Sequence, residues 1–349
     1  MVKILVTGGD GFIGSHFVEH VLSKTNYEIV CICSWRHDGL PERLADSEYV
    51  KAERDRLSFY THDLSAPFSS LMTNRLNDVS HIVHFAADSN VDRSITDPAG
   101  VIKNNVAVTT NMLELARTIN ELKSFVQIST DEVYGPAEDG YCHKEWDAII
   151  PSNPYSASKA CQEAIAISYW RTFGVPVVIT NTMNNIGEKQ HPDKFLPLII
   201  RNIRDGKPTQ IHSVGDVIGS RFYLHARNHA DAVLSIIDRS DEIPNYPTPD
   251  RPGPYSTVPQ RLNVVGDIEM SNLDLVEMVG EIMGVEPKHI LVDAHSSRPG
   301  HDLRYALDGS KTYSWGWYPP VKFKDSLKKT VHWYLENQQW LDIATIERH

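Results

Sequence analysis

The sequence is poor in cysteine, with only Cys31, Cys33, Cys142 and Cys161 among its 349 residues. Four cysteines are too few for a disulfide scaffold in a chain of this length, and their spacing is not that of a zinc site. Cys31 and Cys33 alternate within an apolar run, so we expect them to be buried in a strand as small hydrophobic side chains. The 16 histidines show no ligand pattern completed by a nearby acid or cysteine. We therefore predict no metal centre.

Long apolar runs and basic blocks are also missing. No apolar run reaches the roughly 18 to 20 residues that cross a bilayer, and the opening residues do not read as a signal peptide. The chain has 34 Lys+Arg against 45 Asp+Glu, a formal net charge of −11, whereas nucleic-acid binding favours clustered Lys and Arg. We expect a cytoplasmic protein with neither a membrane nor a nucleic acid as partner. Any phosphate-bearing ligand must then be held by a few local donors.

What the chain does have is a globular composition, with 41% hydrophobic residues. In its first half, short apolar runs rich in β-formers alternate with amphipathic stretches. The predicted strands are 2–7, 28–33, 57–61, 81–85, 124–129 and 176–181, and the predicted helices are 15–24, 107–120 and one that opens at Tyr155. This alternation predicts an α/β fold with a Rossmann-type, doubly wound, mostly parallel sheet.

The regular alternation ends near residue 182. Beyond it come proline-rich loops, with six prolines between Pro244 and Pro259, and separate helices over 273–283 and 323–337. We predict a dinucleotide-binding domain with the catalytic residues over 1–181. A smaller, irregular region follows over 182–349. We expect this region mainly to bind the substrate, and we leave open that some of its elements join the main sheet. The cleft between the two is the expected ligand site.

A glycine-rich turn directly follows the first predicted strand. Its glycines are Gly8, Gly11 and Gly14, in a G-x-x-G-x-x-G spacing rather than the commoner G-x-G-x-x-G. Glycines let the backbone turn sharply and approach a pyrophosphate, and the helix that follows presents its amide donors. Three glycines alone fit many structural turns, but this position after the first strand favours nucleotide binding.

Two further segments carry chemistry. Thr130, Asp131 and Glu132 end a predicted strand, and Tyr155 and Lys159 lie one helical turn apart and therefore on one helix face. The Lys159 ammonium is expected to favour the phenolate of Tyr155 and to lower its pKa from about 10 toward neutrality. Taken alone, the Tyr–Lys pair also fits a packed tyrosine and a solvated lysine, and the acidic pair fits a helix cap.

Together these segments resemble the extended short-chain dehydrogenase/reductases, and more closely the nucleotide-sugar 4,6-dehydratases of the dTDP-glucose 4,6-dehydratase type. The Thr-Asp-Glu triplet is the part that separates dehydratases from the epimerases and decarboxylases of that fold. The matching segments cover nearly the whole chain and are 7–14, 84–94, 130–132, 155–159, 181–185, 194–198 and 298–302.

The resemblance implies a role for each catalytic residue. Tyr155 would take the proton of the C4 hydroxyl while hydride leaves C4 for the nicotinamide, with Thr130 bonded to the same hydroxyl. Lys159 would tune Tyr155 and hold the nicotinamide ribose. Glu132 would remove the C5 proton, Asp131 would protonate the departing C6 oxygen, and the hydride would return to C6. The product would be a 4-keto-6-deoxyhexose still attached to its nucleoside diphosphate.

Binding residues also follow from the resemblance. The expected cofactor set, besides Tyr155 and Lys159, is Gly8, Gly11, Phe12, Ile13, Gly14, Ser34, Arg36, Asp63, Leu64, Phe85, Ala86, Ala87 and Asn104, with Asn105 nearby. The expected substrate set is Ser89, Asn184, Asn185, Lys194, Arg221, Asn263 and Arg298. Two arginines and a lysine in that set would provide the local positive field that an acidic protein needs for an anionic substrate.

The sequence departs from the family at the cofactor site. The acid that normally ends the second strand and binds the adenosine 2′-hydroxyl is replaced by Cys33. Ser34 can hydrogen-bond a 2′-phosphate and Arg36 can pair with it, which favours NADP, tightly bound, over NAD. An Arg36 that faces solvent leaves NAD as the alternative. A second departure is the segment 215–220, which is about two residues longer than the family's and precedes Arg221 and Phe222.

The resemblance also implies a homodimer, in which the helix opened by Tyr155 pairs across a twofold axis with its neighbour. Ala160, Ala164 and Ile167 supply the apolar face for this contact. Two other functions stay open. A 4-epimerase or decarboxylase shares the Tyr–Lys pair but has no use for adjacent Asp and Glu, and a non-catalytic dinucleotide sensor would tend to lose these residues.

Overall fold

The computed structural model describes residues 2–35, 39–242, 258–293 and 302–343. The strands are β1 (Lys3–Thr7), β2 (Glu28–Cys33), β3 (Leu57–Thr61), β4 (His81–His84), β5 (Ser124–Thr130), β6 (Val177–Thr182), β7 (Asn185–Ile186), β8 (Thr209–Val214), β9 (Val217–Ile218), β10 (Ser220–Phe222), β11 (Leu224–His225), β12 (Gln260–Val264), β13 (Glu269–Ser271), β14 (His289–Asp293) and β15 (Arg304–Tyr305). The helices are α1 (Phe12–Lys24), α2 (Glu42–Ala45), α3 (Glu48–Ala52), α4 (Ser70–Arg75), α5 (Val91–Thr96), α6 (Pro98–Ala116), α7 (Pro154–Phe173), α8 (Phe195–Arg204), α9 (Ala226–Asp238), α10 (Asn272–Met283), α11 (Ser310–Ser314) and α12 (Phe323–Glu336). Short 3₁₀ turns cover Arg54–Arg56, Asp131–Tyr134 and Gln338–Leu341.

The central sheet confirms the predicted Rossmann-type α/β fold. Within the described residues, seven strands pair in the order β12-β6-β5-β4-β1-β2-β3, and every pair is parallel. The strand order reverses between β1 and β4, and ligands bind at such a switch point, outside the carboxyl ends of the strands. The glycine turn after β1 and the segments after β4, β5 and β6 therefore share one edge of the sheet.

Helices cover both faces of this sheet, as its apolar strands require. On one face α1 packs against α9, and its buried Phe17, Val18 and Val21 join the core with Ile4 and Val233. On the other face α6 packs against α7, and Val108, Met112 and Ala166 meet the opposite side of the strands. Helix α7, which carries Tyr155 and Lys159, thus packs on a sheet that is covered on both faces.

The second half of the chain contributes to both parts of the molecule. Strand β12 pairs with β6 at the edge of the main sheet, and α9 belongs to one of its faces. The remaining elements form a separate core in which α8, α10 and α12 pack around Ile199, Leu275, Val279 and Leu327. In the segment 215–220, predicted to be long for the family, β9 pairs antiparallel with β8 across a turn at Gly215, whose φ is +58°. The division into residues 1–181 and 182–349 stays a prediction.

Element boundaries differ from the predicted ones mainly where capping decides them. The helix predicted over 107–120 begins nine residues earlier, because the Asp97 side chain accepts a hydrogen bond from the Gly100 amide and Pro98 occupies the first turn. The helix predicted over 15–24 begins at Phe12, directly after the glycine turn. Among the described residues, no helix is both long enough and apolar enough to cross a membrane.

Candidate active site

The glycine turn after β1 is closed by its own backbone. Gly8 has φ +68°, its carbonyl accepts a hydrogen bond from the Gly11 amide at 3.0 Å, and its amide donates to the Ile32 carbonyl on β2 at 3.2 Å. A Cβ on Gly14 would lie 2.1 Å from the Gly8 oxygen, and one on Gly8 would lie 3.1 Å from the Ala86 nitrogen. The spacing is therefore a packing requirement of this turn as well as a means of close ligand approach.

The start of α1 fits the pyrophosphate of a dinucleotide. The helix begins after Gly11, which offers no side-chain cap, and its first turn contains no acidic residue. The amides of Phe12, Ile13 and Gly14 belong to that first turn, whose backbone donors have no partner within the helix. With 13 residues, α1 is long enough to carry a full helix dipole. The residues predicted to hold the diphosphate are thus arranged to do so.

The residues from which we predict a preference for NADP follow β2. Cys31 and Cys33 are buried, as expected for small hydrophobic side chains. Burial raises the pKa of the Cys33 thiol, and the nearby charge of Asp10 in the glycine turn raises it further. Ser34 follows directly and is partly exposed. Arg36 lies outside the described residues.

The other predicted cofactor residues follow β3 and β4. Asp63 is exposed and its carboxylate accepts hydrogen bonds from the amide and hydroxyl of Ser65, whereas Leu64 is buried. The segment 85–87 is partly buried directly after β4. Asn104 on α6 donates to the side chain of Asn105, which is fully buried and also bonds the backbone of Asp88. Asn105 therefore positions the loop after β4.

The acidic pair lies where β5 becomes a 3₁₀ turn. Thr130 caps that turn, because its hydroxyl accepts from the Glu132 amide at 3.3 Å and donates to Asp131 Oδ1 at 2.9 Å. The turn breaks the strand's alternation, so two consecutive carboxylates lie near one phenol instead of on opposite faces of the sheet. The phenol is that of Tyr155, which lies close enough to both carboxylates for their charges to raise its pKa.

The two carboxylates have different environments. Asp131 is only 3% exposed, and among the described residues nothing donates a hydrogen bond to its Oδ2 atom. Burial, reinforced by the neighbouring charge of Glu132, raises the pKa of Asp131 to about 7. Burial also raises the pKa of Glu132, but Asn153 donates to its Oε2 at 3.2 Å, and Arg221 and Lys194 favour its ionised form. At neutral pH the site thus holds a carboxyl, that of Asp131, which is able to donate a proton, beside a second carboxyl group.

Helix α7 fixes the other half of the site. Asn153 caps it, its Oδ1 accepting from the Ser156 amide at 2.9 Å, and Pro154 occupies the first turn. Tyr155 and Lys159 then follow on one face, as predicted from their spacing. The side-chain nitrogen of Asn153, Nδ2, donates the hydrogen bond to Glu132.

The expected lowering of the Tyr155 pKa by Lys159 is wrong. Burial raises the pKa of the Tyr155 phenol, and the negative charges of Glu132 and Asp131 raise it further. The Lys159 ammonium donates instead to the backbone carbonyl of Ile128 at 2.7 Å, and burial lowers its own pKa to about 8. The spacing of Tyr155 and Lys159 predicts that both side chains lie on one helix face. It does not predict the hydrogen bond from Lys159 to the Ile128 carbonyl of β5.

The predicted substrate residues are only partly brought together. Lys194 begins α8 and Arg221 lies on β10, and both are close enough to Glu132 to favour its ionisation. The Arg221 guanidinium is 4% exposed as a residue and donates to the carbonyls of Ser220, Leu303 and Asp302. These carbonyls therefore hold the Arg221 guanidinium, and Arg221 acts on Glu132 through its positive charge.

The remaining substrate residues vary in exposure. Ser89 and Asn184 are exposed after β4 and β6, and Asn185 on β7 donates to the Met183 carbonyl at 2.9 Å. Asn263 is fully buried on β12, where its side-chain amide donates to the carbonyls of His143 and Asp308. Arg298 lies outside the described residues. Their substrate roles stay predictions.

Three residues at the site were not singled out from the sequence. Asn153 holds Glu132, and its signal was the Asn-Pro pair that starts a helix. Asp10, within the glycine turn, lies close enough to Cys33 for its charge to raise the pKa of the thiol. Glu163, one turn after Lys159 on α7, accepts from Asn181, which also donates to the Thr130 carbonyl. No sequence signal marks Glu163, because its partners come from other elements. The described residues contain no group of three or more His, Cys, Asp or Glu arranged to hold a metal ion.

The chain is similar in sequence to known dehydratases over nearly its whole length. The family model described as GDP-mannose 4,6 dehydratase matches residues 5–330. A curated dTDP-glucose 4,6-dehydratase from Salmonella typhimurium is 36% identical over 366 residues, spanning 98% of this chain and 95% of its own. The similarity therefore extends over the whole architecture.

Solved structures give the same result. The DesIV dTDP-glucose 4,6-dehydratase of Streptomyces venezuelae, determined with NAD bound, superposes with a TM-score of 0.81 at 33% identity, covering 97% of this chain and 98% of its own. A UDP-glucose 4-epimerase from Thermus thermophilus in complex with NAD has a TM-score of 0.78 at 25% identity, covering 95% and 98%. The dehydratase is the more similar of the two in sequence.

Proposed function

The chain belongs to the GDP-mannose 4,6 dehydratase family, and from that premise we propose that it is a nucleotide-sugar 4,6-dehydratase, a hydro-lyase of the extended short-chain dehydrogenase/reductase type. Its substrate is a nucleoside-diphosphate hexose and its product the corresponding 4-keto-6-deoxyhexose. The observation that carries this proposal is the buried Asp131 and the partly buried Glu132 beside Tyr155. Elimination of water needs one acid and one base at adjacent substrate atoms, and this pair provides them.

The residues divide the work as follows. Tyr155 would accept the proton of the C4 hydroxyl as a phenolate, and Thr130 would hydrogen-bond the same hydroxyl. Because burial and the two carboxylates raise the pKa of Tyr155, the positive charge of a bound oxidised nicotinamide would have to favour the phenolate. A bound oxidised nicotinamide dinucleotide supplies the hydride acceptor at C4 and the hydride donor at C6. The C4 ketone acidifies the C5 proton, which Glu132 removes. Asp131, with a pKa near 7, gives its proton to the C6 oxygen, which leaves as water.

The dinucleotide fits the turn after β1, where the first turn of α1 would hold its pyrophosphate. The finer prediction from Ser34 and Arg36 was NADP, tightly retained and regenerated in each turnover. NAD, with which the solved dehydratase DesIV was determined, is the alternative. The retained dinucleotide can be identified by denaturing the purified protein and analysing what is released.

The homodimer is a further part of the proposal. On α7, Ala164 is exposed, whereas Ala160 and Ile167 are partly exposed and also pack against the chain's own apolar clusters. Ala164 and the exposed parts of the other two side chains are available for the predicted contact. A self-complementary helix pair of this kind closes as a twofold dimer. Light scattering at micromolar concentration should give twice the chain mass, and a monomer would reject the proposed contact. The cytoplasmic location likewise stays a prediction from the sequence.

A panel experiment tests the dehydratase assignment. The protein is incubated with glucose and mannose nucleotides of thymidine, uridine, cytidine and guanosine, and products are analysed by mass spectrometry. At least one substrate should lose the mass of water. Glu132→Gln should abolish this loss, while the exposed Glu138→Gln, six residues away, should behave as the unmodified protein. A product of unchanged mass with inverted C4 would establish the epimerase instead.

A further inference from the structure

The side chain of Asn181 lies between the catalytic helix and the strand end that carries the acidic pair. Asn181 belongs to β6, is fully buried, and lies next to Ser129 in the parallel pairing of β5 and β6. Its side-chain nitrogen, Nδ2, donates to the Thr130 carbonyl at 3.0 Å and to the Glu163 carboxylate at 2.8 Å. Both protons of this amide group are thus used, one on β5 and the other on α7.

The partners of Asn181 determine the orientation of its amide group. A backbone carbonyl and a carboxylate are both acceptors, so only the nitrogen end of the amide can face them. The Glu163 carboxylate is itself held, because Arg261 donates to its other oxygen at 2.7 Å and both side chains are almost inaccessible to solvent. Breaking such a buried pair is costly, so the carboxylate gives Asn181 a fixed point of attachment.

The hydrogen bond to Thr130 fixes the peptide group that leads into the acidic pair. The Thr130 carbonyl and the Asp131 amide belong to one planar unit, so a donor that holds the carbonyl also sets the orientation of the amide. The pairing of β5 with β6 ends at Thr130 and Thr182, and the 3₁₀ turn Asp131–Tyr134 starts there. Because the sheet no longer directs the chain beyond this point, a side-chain contact at the strand end has to do so.

Asn181 also approaches the far end of this 3₁₀ turn. The hydroxyl of Tyr134, the last residue of the turn, lies 3.5 Å from Asn181 Oδ1 and donates to the Glu145 carbonyl at 2.9 Å. Arg261 donates to the same hydroxyl at 3.2 Å. One buried network therefore contacts both ends of the segment that carries the two acidic side chains.

The phenol that starts the reaction is positioned by different contacts. Tyr155 lies at the start of α7, which Asn153 caps and where Pro154 occupies the first turn. The backbone carbonyl of Tyr155 accepts from the Ser158 hydroxyl at 2.6 Å. None of these contacts involves Asn181, so loss of the Asn181 side chain should displace the acidic pair and leave the phenol in place.

We propose that Asn181 is a positioning residue for the elimination step, holding the peptide group between Thr130 and Asp131 so that the two carboxylates reach the C5 proton and the C6 oxygen. The proposal rests on the proposed function, since it assumes that Asp131 and Glu132 eliminate water. Oxidation at C4 depends on Tyr155 and should be insensitive to Asn181. Elimination should be sensitive, because a misplacement of about 1 Å can cost roughly 100-fold in rate.

The test compares two steps of one turnover in the full-length protein with its bound dinucleotide, using a sugar nucleotide that the unmodified protein dehydrates. Asn181→Ala removes both hydrogen bonds and keeps the ion pair between Glu163 and Arg261. Absorbance of the reduced nicotinamide, followed by stopped flow, should rise at nearly the rate of the unmodified protein. Loss of water, followed by mass spectrometry, should slow by about 10- to 100-fold, so reduced nicotinamide should accumulate during turnover.

Two further variants distinguish positioning from stability. Asn228 on α9 is also buried and donates to the Val321 carbonyl at 2.7 Å, so Asn228→Ala removes a comparable hydrogen bond on the other face of the main sheet and should change neither step. The double variant Asn181→Asp, Glu163→Gln exchanges the carboxylate and the amide between the two positions. It keeps the buried charge but places an acceptor against the Thr130 carbonyl, so elimination should stay slow in protein that thermal unfolding shows to be folded.

Several results would overturn the proposal. Equal slowing of both steps in Asn181→Ala would give Asn181 a general structural role, and unchanged rates would show that its contacts are not needed. Elimination at the normal rate in the double variant would show that the donor at Thr130 is dispensable. If no variant folds, a crystal structure of the unmodified protein with a nucleoside diphosphate bound, in which Asn181 no longer donates to that carbonyl, would overturn it. Failure of the unmodified protein to dehydrate any sugar nucleotide would refute the proposed function instead.

Discussion

Two buried acidic regions flank the catalytic helix, and they are built in opposite ways. Glu163 on α7 is fully buried, and its carboxylate accepts from Arg261 at 2.7 Å and from Asn181 at 2.8 Å. Asp131, equally inaccessible at the end of β5, has a second carboxylate as its neighbour. The first carboxylate is matched by a cation that itself packs over the Trp146 ring at 4.4 Å. The effect of burial on the second is opposed by the Thr130 hydroxyl, the Arg221 charge and the Glu132 backbone amide, and its pKa is still raised.

The difference teaches that burial alone does not indicate chemistry. A buried carboxylate with a bidentate or well-placed cation is an anchor, and its removal leaves an unpaired partner charge. A buried carboxylate beside another carboxylate is driven toward its neutral form and can exchange a proton near neutral pH. The two regions are joined, because Asn181 donates both to Glu163 and to the Thr130 carbonyl. The anchor thereby holds the strand end that carries the reactive pair.

The largest expected effect comes from removing the phenol that the reactive pair serves. Tyr155→Phe deletes the acceptor for the C4 proton, so oxidation, elimination and hydride return should all fail together, by on the order of 10²- to 10⁴-fold in kcat. Stopped-flow absorbance of the reduced nicotinamide and product mass both report this loss. Reduction of the nicotinamide at an unchanged rate in Tyr155→Phe would show that another group accepts the proton.

Breaking the buried Glu163–Arg261 ion pair should lower the free energy of unfolding more than it changes the reaction. Arg261→Met leaves Glu163 buried without its cation and should lower the free energy of unfolding by about 3 to 5 kcal/mol. Arg204→Met, which breaks an ion pair with the exposed Asp342, should cost less than about 1 kcal/mol. Urea unfolding of both variants gives the two values. Equal losses would contradict the distinction between a buried anchor and a surface pair.

The reactive pair should show the reverse pH dependence of stability from an ordinary ion pair. The pKa of Asp131 is raised from 3.8 to about 7 on folding, so the folded state binds more protons than the unfolded state between about pH 4 and 7. The stability of the unmodified protein should fall, relative to Asp131→Asn, by about 1 to 3 kcal/mol as pH rises through this window. Parallel urea unfolding at pH 5 and pH 8 measures it. A pH-independent difference between the two proteins would mean that the Asp131 pKa is not raised.

Much of this arrangement was predictable because it depends on local sequence. Apolar runs such as Ile29–Cys33 predicted strands, the glycine spacing predicted a turn, and the Tyr155–Lys159 spacing predicted a shared helix face. Each of these depends on residues within a few positions of one another. The family resemblance added the catalytic roles, which local physics does not provide.

What could not be predicted depends on contacts between distant parts of the chain. The Ile128 carbonyl that binds Lys159 is 31 positions away, and Arg261 reaches Glu163 across 98 positions. The sequence also does not show that Arg221 donates to the carbonyls of Asp302 and Leu303, because these residues are about 80 positions away.

The central claim, that Asp131 and Glu132 form the dehydration pair, is tested most directly by C5 proton exchange in deuterated water. Glu132→Gln and Asp131→Asn should both still reduce the bound nicotinamide on substrate addition, while dehydrated product falls by about 100-fold or more. Glu132→Gln should also suppress deuterium incorporation at C5, whereas Asp131→Asn should retain it. Turnover of both variants at the rate of the unmodified protein, with C5 exchange intact, would contradict the account and make an epimerase the better assignment.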